Sequence, residues 1–310
     1  MSDQHVLVIG SACLDIKGRP LHPLQRGTSI PGTLHSNVGG VARNIAENLS
    51  RLGVPCTLIS AIGDDRPGNR ILAQATEAGI DTSHVLVVPG INTGAYMALL
   101  DENGILAFAL DDTRVAAAIE PRYIYRNRRL FRDAAMVVLD TSLPRSALKT
   151  VFRLAKQYRV PICADPATVV LAPRLRPYLP DLLLIAPNVR EAQVLCNFTI
   201  AEGNQDAALM ASKGLVAQGV QIAVITMAEQ GLCYATSTES GHVPAVRTEI
   251  ADLTGAGDAL TAAIIFALLN DIPISEAMRL GCSAASLTIA CHQTVVPDLT
   301  LESLYNNLSV

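Results

Sequence analysis

The residues best suited to chemistry lie between Asp252 and Asp258 of this 310-residue chain. A Gly-Ala-Gly run at 255–257 comes directly before Asp258, and residues 259–270 are almost all apolar or small, which predicts a helix buried on all sides. Unpaired amides at a helix N-terminus bind anions such as phosphate. Asp258 could accept a proton from an attacking hydroxyl there, which would suit phosphoryl transfer to an alcohol. The alternative is that Asp258 only caps a core helix.

Asp15 is a second candidate carboxylate. It follows the predicted first strand, Val6 to Gly10, by five residues. Open α/β sheets place ligand-binding groups just past the carboxyl ends of their strands. Asp15 is therefore a candidate ligand-binding residue, and a turn carboxylate in solvent is the alternative.

Gly39 and Gly40 precede a stretch whose apolar residues recur at helical spacing and which ends at Gly53. Two glycines before a helix allow a ligand to approach the backbone closely. Asn44 lies one turn into this helix and faces the same space. The pattern predicts a binding site for a polyol, although Gly-Gly before a helix is a weak signal by itself.

Two further candidates follow apolar strands in the second half of the chain. Asn188 and Glu191 open a helix, and their spacing is also that of an ordinary capping box. Thr226 ends the next predicted strand, and Gly231 lies five residues later. Both pairs lie where parallel strands would bring ligand-binding groups to one edge of a sheet.

The composition favours small-molecule chemistry over nucleic-acid binding. Half of the residues are hydrophobic, the net charge is −4, and neither basic runs nor aromatic residues are sufficient for a nucleic-acid surface. The seven cysteines are scattered without a C-x-x-C pair, which is typical of reduced core thiols rather than of disulfides or a structural metal site. We expect no nucleic acid among the partners.

No stretch of the sequence suggests a leader or a membrane anchor. Residues 6–9 are an apolar run only long enough for a strand, and no positively charged segment precedes them. The apolar run after Asp258 is shorter than the roughly 20 residues that a membrane span needs. We therefore expect a cytoplasmic protein with no membrane partner.

The order of apolar runs predicts an α/β chain. Before residue 136 the patterns predict strands at 6–10, 55–62 and 85–88, a helix at 69–78, a hairpin at 93–110 that turns at 101–104, and a loop or short exposed strands at 17–36. From residue 136 onward strands alternate with helices, with strands predicted at 136–140, 161–165, 182–186 and 221–226 and a helix at 144–157. This alternation of near-continuous apolar strands with helices predicts a parallel sheet covered on both faces.

The run from Asp252 to Asp258 resembles the motif D-[TS]-x-G-A-G-D of the ribokinase-like (PfkB) carbohydrate and nucleoside kinases, and differs only at Leu253. The stretch from Gly39 to Asn44 resembles that family's G-G-x-x-x-N motif. The resemblance extends from residue 6 to about residue 298 with both motifs in the family's order. It implies that Asp258 is the catalytic base and that the anion hole for the transferred phosphate is formed by the amides of Gly255, Ala256 and Gly257.

The same resemblance implies roles for the other candidates. The sugar would be bound by Asp15, Gly39, Gly40 and Asn44. Contacts to ATP would come from Asn188, Glu191, Thr226 and Gly231, although Ala228 stands where the family's nucleotide motif has its first glycine. Glu191 would orient water around Mg²⁺. Asp252, with the backbone near Thr254, resembles the family's monovalent-cation site and implies activation by potassium.

The resemblance also implies the fold. We expect an α/β ribokinase-like three-layer sandwich with a mostly parallel central sheet and a small β lid. It would form a single kinase domain over residues 1–310, with lid segments at about 14–37 and 92–110. Because an apolar lid surface needs covering, we expect a homodimer that pairs through the lid.

The function implied is ATP-dependent phosphorylation of the 5′-hydroxyl of a ribosyl nucleoside. The strings from Gly39 to Leu49 and from Thr93 to Asp101 look more like the pseudouridine-kinase branch than like ribokinase. Other nucleosides, ribose and fructose are alternative substrates, and a non-catalytic ligand-binding regulator is an alternative of another class. No G-x-G-x-x-G follows the first strand and no G-x-x-x-x-G-K-[ST] occurs, which disfavours a dinucleotide-dependent dehydrogenase and a P-loop kinase.

Overall fold

The structure is a computed structural model, and it describes residues 4–201 and 203–309. The strands are β1 (His5–Ile9), β2 (Cys13–Pro20), β3 (Gly32–Gly39), β4 (Cys56–Gly63), β5 (Val85–Val88), β6 (Ala95–Leu100), β7 (Leu106–Asp112), β8 (Ala134–Asp140), β9 (Ile162–Asp165), β10 (Leu184–Ile185), β11 (Ile222–Thr226), β12 (Leu232–Ala235) and β13 (Ser240–Val243). The α-helices are α1 (Val41–Arg51), α2 (Arg66–Glu77), α3 (Pro121–Arg126), α4 (Arg128–Asp133), α5 (Arg145–Tyr158), α6 (Val189–Cys196), α7 (Gln205–Ala217), α8 (Ala256–Leu269), α9 (Ile274–Ile289) and α10 (Leu301–Leu308).

Nine strands form the large sheet, in the order β13-β12-β11-β10-β9-β8-β1-β4-β5. The strands from β11 to β5 in this order pair in parallel, and β12 and β13 add an antiparallel hairpin at one edge. Every residue of β4 is buried, and only the first residue of β1 is not. The sequence prediction of a mostly parallel sheet is therefore confirmed.

Helices cover both faces of the large sheet. Alternate residues of β1 explain this, because Val6 and Val8 pack with α1, α8 and α9, whereas Leu7 and Ile9 pack with α5 on the opposite face. In α8 every side chain from Asp258 to Ala267 is buried, as the apolar composition of that stretch predicted. The result is a three-layer sandwich with a core on each side of the sheet.

Four strands form a second sheet, the lid sheet, in the order β3-β2-β6-β7. The pairs β2–β3 and β6–β7 are antiparallel, and β2–β6 is parallel. Residues 17–36 were expected to be a loop or short exposed strands, and they belong to two eight-residue strands with a connection between them. The sequence shows little apolar alternation here, because the first five residues of β3 are exposed and β2 contains polar residues and a glycine.

Most of the other predicted elements lie within a few residues of their predicted positions. The strand at 85–88 is confirmed, and the strand predicted at 182–186 is only Leu184–Ile185. The helix predicted at 69–78 begins at Arg66, because the Asp65 side chain caps it by accepting a hydrogen bond from the Gly68 amide at 2.9 Å. All seven cysteines are free thiols. Among the described residues, no helix combines the length and the apolar character that crossing a membrane requires.

Candidate active site

A cleft of about 560 Å³ separates the lid sheet from the carboxyl edge of the large sheet. Its volume is within the range of small-molecule sites. The lid wall contributes Asp15, Lys17 and Tyr96, and the opposite wall contributes Asn44 and Asp258. The topology explains this location, since the carboxyl ends of parallel strands are the usual binding edge of α/β sheets.

Asp258 lies in the first turn of α8, and its side chain is buried at the floor of the cleft. The residue before the helix, Gly255, has φ +85°, and a Cβ at that position would clash with the carbonyl oxygen of Thr294. Only glycine meets both conditions without strain. No side chain caps α8, so its first amides are available to an anion, and the helix dipole favours negative charge there.

Asn44 joins the glycine motif to this helix start. Its side-chain Nδ2 donates a hydrogen bond of 2.6 Å to Oδ2 of Asp258. Asp15 lies against the backbone of Gly39, where a Cβ would clash with the Asp15 carboxylate. The structure thus places Asp15, Gly40 and Asn44 in one cleft with Asp258, and Gly39 lies against Asp15.

Burial and neighbouring acids raise the pKa of Asp258 to about 7. Desolvation is the largest cause, and the nearby Asp15 and Asp140 carboxylates add to it, whereas the Asn44 hydrogen bond and Arg43 lower the pKa. Burial likewise raises the pKa of Asp15 to about 6. A carboxyl group with a pKa near neutrality is well matched to accepting a proton from a hydroxyl.

Asn188 and Glu191 form a capping box at the start of α6. The Asn188 side chain accepts from the Glu191 amide at 3.0 Å, and the Glu191 carboxylate accepts from the Asn188 amide at 2.9 Å. The capping interpretation of this spacing is therefore correct. Glu191 is nevertheless buried near the buried Asp165, and burial together with the charge of Glu191 raises the pKa of Asp165 well above its usual value. A buried pair of acids suits a cation.

Thr226 ends β11 next to the start of α6, and Gly231 directly precedes β12. Thr226 forms a parallel bridge with Asn188, and its amide donates to the Pro187 carbonyl at 3.0 Å. Ala228 has φ 52°, a left-handed conformation that favours glycine, so this alanine keeps the backbone that a glycine would adopt there. Gly231 has φ +89° and contacts the backbone after β13. These residues do not line the cleft around Asp258 and form a neighbouring region instead.

Asp252 is already partnered. Its carboxylate forms an ion pair with Lys17 of β2 and accepts from the Thr254 amide at 2.8 Å. The ion pair connects the lid sheet to the loop before α8. Burial acts to raise the pKa of Asp252, but the hydrogen bonds from Lys17 and Thr254 outweigh it and hold that pKa below its ordinary value.

Sequence reasoning missed several polar residues of the site. Asp140, at the end of β8, accepts hydrogen bonds of 2.7 Å from both the amide and the hydroxyl of Ser11, and it also accepts from the amide of Ala42 at 3.2 Å. These bonds fix the loop after β1 against the start of α1. The others are Lys17, Arg43, Tyr96, Asp111 and Asp165. Asp140 and Asp165 could have been found from the sequence, because each is a polar residue that ends an apolar strand. Tyr96 and Asp111 could not, because only the strand register places them beside Asp15.

Comparison with known proteins identifies the family of this chain and its relatives. The model of the pfkB family carbohydrate kinases matches residues 3–300. The pseudouridine kinase of Escherichia coli (strain K12) is 31% identical over 301 residues, which cover 97% of this chain and 95% of that protein. A carbohydrate kinase structure from Agrobacterium tumefaciens is 27% identical with a TM-score of 0.80, covering 99% of this chain and 97% of that one. The structure of Arabidopsis thaliana ribokinase complexed with ribose and ATP has a TM-score of 0.85 at 22% identity, covers all of both chains and shows the shared ribokinase-like fold.

Proposed function

Because this chain belongs to the pfkB family of carbohydrate kinases, and is thus a phosphotransferase with an alcohol acceptor, we propose that it transfers the γ-phosphoryl group of ATP to the 5′-hydroxyl of a nucleoside. Pseudouridine is the proposed acceptor. The observation that carries the proposal is the buried contact between Asn44 and Asp258 beside the uncapped N-terminus of α8. This contact supports the proposal because it would hold a base of raised pKa next to a site for an anion.

In the proposed reaction the ribose lies between the lid sheet and α1. Asp15 accepts hydrogen bonds from ribose hydroxyls, and the lack of side chains at Gly39 and Gly40 lets the sugar approach the backbone. Asp258 takes the proton from the 5′-hydroxyl as that oxygen attacks phosphorus, and the bond to the ADP oxygen breaks. The amides of Gly255, Ala256 and Gly257 stabilise the charge on the transferred group.

The nucleotide phosphates would extend from α8 toward the region of Thr226 and Gly231. Buried Asp165 and Glu191 fit a magnesium ion there, because they are carboxylates without a basic partner among the described residues. Among the residues that the structure describes, no three His, Cys, Asp or Glu side chains are grouped so that they could hold a metal ion. Mg²⁺ at this site would therefore take its other ligands from phosphates and water. Bound Mg²⁺ would neutralise charge on the β- and γ-phosphates.

Potassium does not fit the Asp252 carboxylate as well as the resemblance implies. The Lys17 ammonium group already pairs with that carboxylate and provides the positive charge there. The proposed reaction therefore has no step that depends on potassium.

The similarity to the E. coli pseudouridine kinase, over nearly the whole of both chains, supports pseudouridine over ribose or fructose. The cleft supports a nucleoside too, because its volume exceeds what a pentose alone would fill, and Tyr96 and Asp111 add polar groups to the lid wall. Pseudouridine differs from uridine in carrying a free ring N–H in place of the glycosidic nitrogen. Acceptor groups on the lid wall suit that additional donor.

A substrate panel tests this proposal. ADP release with ATP and Mg²⁺ would be measured for pseudouridine, uridine, adenosine, cytidine, ribose and fructose, and pseudouridine is expected to give the highest kcat/KM. A preference for ribose or a purine nucleoside would contradict the proposed substrate but leave the kinase assignment intact. Nucleoside binding without any turnover would favour the non-catalytic regulator.

The pKa of Asp258 predicts how activity depends on pH. Because the base must be ionised, kcat/KM should fall roughly tenfold per unit as the pH drops below about 7. Below pH 6 the fall should become steeper, since Asp15, with a pKa of about 6, also becomes protonated. A profile measured from pH 5 to 9 at saturating Mg-ATP checks this, and constant kcat/KM between pH 5.5 and 8 would contradict it.

We also propose that the protein forms a homodimer through the outer face of the lid sheet. Side chains on this face alternate with those that line the cleft, and they are apolar and exposed: Leu34, Met97, Leu99, Phe108 and Leu110. A contiguous apolar sheet face of this kind is rarely left in solvent. Pairing two copies would cover it.

Replacing Phe108, which is 67% exposed, by Glu is expected to convert the dimer to a monomer in sedimentation velocity measurements, because the new charge would lie on the apolar face that the two copies cover. Met210→Glu is the matched control, since Met210 is 63% exposed on α7 and far from the lid sheet along the chain. A wild-type protein that sediments as a monomer would rule out this dimer.

A further inference from the structure

Arg43 is a charged residue that the proposed reaction does not use, and it is 2% exposed. It lies in the first turn of α1, directly before Asn44. Burying a guanidinium group is costly unless its donors are paired. Here each donor group contacts a nearby acceptor, so the position of the side chain is strongly constrained.

The contacts of Arg43 join the three parts of the site. Its Nε and Nη2 donate to the carbonyl oxygens of Gly39 at 3.3 Å and Val38 at 2.7 Å, at the end of β3. Nη2 also donates to the Thr294 hydroxyl at 2.9 Å, in the loop whose backbone lies against Gly255. Arg43 therefore connects the glycine motif to the loop that supports the start of α8.

Arg43 also fixes the orientation of the Asn44 amide. Its Nη2 donates to Oδ1 of Asn44, so the Nδ2 group of that amide must point the other way. That group donates to Asp258 at 2.6 Å. If the amide turned over, its oxygen would face the Asp258 carboxylate and repel it.

We propose that Arg43 is a positioning residue, which acts through Asn44 to hold the Asp258 carboxylate in its reactive orientation. This inference rests on the proposed function, in which Asp258 is the base. The charges that face Asp258 support it: Asp15 of β2, Asp140 at the end of β8 and Asp165 at the end of β9 are all acidic, and Arg43 is the basic group that offsets them.

A purely structural role is the competing interpretation. Arg43 forms an ion pair with Glu47, which also pairs with Arg51 at 3.2 Å. If stability were its only contribution, removing Arg43 would lower the fraction of folded enzyme and leave the kinetic constants of the folded enzyme unchanged. A positioning role would instead lower kcat and change its pH dependence.

The test compares Arg43→Met with Arg51→Met, in which an arginine that pairs with the same Glu47 is removed from a partly exposed position away from Asn44. Misplacing a reacting group by about 1 Å can cost on the order of 10²-fold in rate, so we expect a loss of that size in kcat for Arg43→Met. Loss of the neighbouring positive charge should raise the pKa of Asp258. The pH below which kcat/KM falls, the acid limb of its pH profile, should therefore increase by about one unit. Arg51→Met should change kcat less than twofold.

Arg43→Lys is a second variant that tests the inference even if Arg43→Met does not fold. It keeps a buried positive charge that can pair with Glu47, but one ammonium group lacks the planar fork that reaches Asn44, Thr294 and two carbonyl groups together. We expect kcat to fall by roughly tenfold with an unchanged KM for ATP and an acid limb close to that of the wild type.

Circular dichroism and thermal melting would establish that each variant is folded. Wild-type kcat and an unshifted acid limb in the folded Arg43 variants, with an active wild-type enzyme, would overturn this inference alone. A wild-type enzyme that phosphorylates no acceptor would overturn the proposed function and this inference with it.

Discussion

Replacing Asp258 by Asn is expected to lower kcat by about 10²- to 10⁴-fold, because an amide cannot take the proton from the attacking hydroxyl. KM for the acceptor should change much less, since Asn keeps the size of Asp and can still accept the hydrogen bond from Asn44. Steady-state kinetics at pH 8 measures both constants.

The same substitution should stabilise the fold at neutral and alkaline pH. The pKa of Asp258 rises from 3.8 in the unfolded chain to about 7 in the folded protein. The folded state therefore holds this proton more tightly, and its free energy of unfolding falls as the pH rises from about 4 to about 7. The rise in pKa from 3.8 to about 7 corresponds to at most roughly 4 kcal/mol. The uncharged amide of the Asp258→Asn variant would avoid this cost, so its melting temperature should exceed that of the wild type at pH 8 and much less so at pH 4.

Asp206→Asn is the matched control for Asp258→Asn. Asp206 also lies in the first turn of a helix, α7, but its side chain is exposed and it is not part of the cleft. This control should retain wild-type kcat with a melting temperature within a degree or so. An Asp258→Asn variant with kcat within fivefold of the wild type would contradict the assignment of Asp258 as the base.

Replacing Gly255 by Ala is the second change with a large expected effect. The new Cβ would clash with the Thr294 carbonyl oxygen, and φ +85° is unfavourable for alanine. The turn before α8 must move, and the amides that bind the transferred phosphate move with it. Losing one donor of an anion hole typically costs about 10²–10³-fold in kcat, and we expect a loss of that size.

Gly53→Ala is the matched control, because it introduces the same unfavourable φ angle as Gly255→Ala without the steric clash. Gly53 also has φ +85°, but no atom lies within 4 Å of a Cβ placed there, and it follows α1 outside the cleft. It should lose about 1 kcal/mol of stability and keep its activity. A Gly255→Ala variant that retains both wild-type kcat and stability would show that the turn before α8 does not have the proposed role.

Much of this fold could be predicted from the sequence because its signals are local. The apolar run after Asp258 predicted a buried helix, and α8 is one. The alternation after residue 136 predicted the parallel sheet. The lid strands were less evident, because residues such as Lys17 and Gly18 in β2 form a strand only by pairing with β3 and β6. Distant pairing of that kind leaves no pattern in the segment itself.

In the candidate site, too, the features set by local sequence could be predicted and those set by contacts between distant residues could not. The glycine motif and Asp258 were identified by type and spacing, and the structure brings them together at Asn44. The relation of Arg43 to Thr294 could not be foreseen, since 251 positions separate them in the chain. The ion pair of Lys17 with Asp252 likewise spans 235 positions and changes the interpretation of the predicted potassium site.

The most direct test of the central claim is the position of the transferred phosphoryl group. The wild-type enzyme would be incubated with pseudouridine, ATP and Mg²⁺, and the product examined by phosphorus NMR with proton coupling, with 5′-deoxypseudouridine as the matched control substrate. The proposed chemistry predicts pseudouridine 5′-phosphate as the single monophosphate product, coupled to the two 5′ protons, and no product from the deoxy analogue. Phosphate on a 2′- or 3′-hydroxyl, or turnover of the deoxy analogue, would contradict the proposed orientation of the nucleoside toward Asp258.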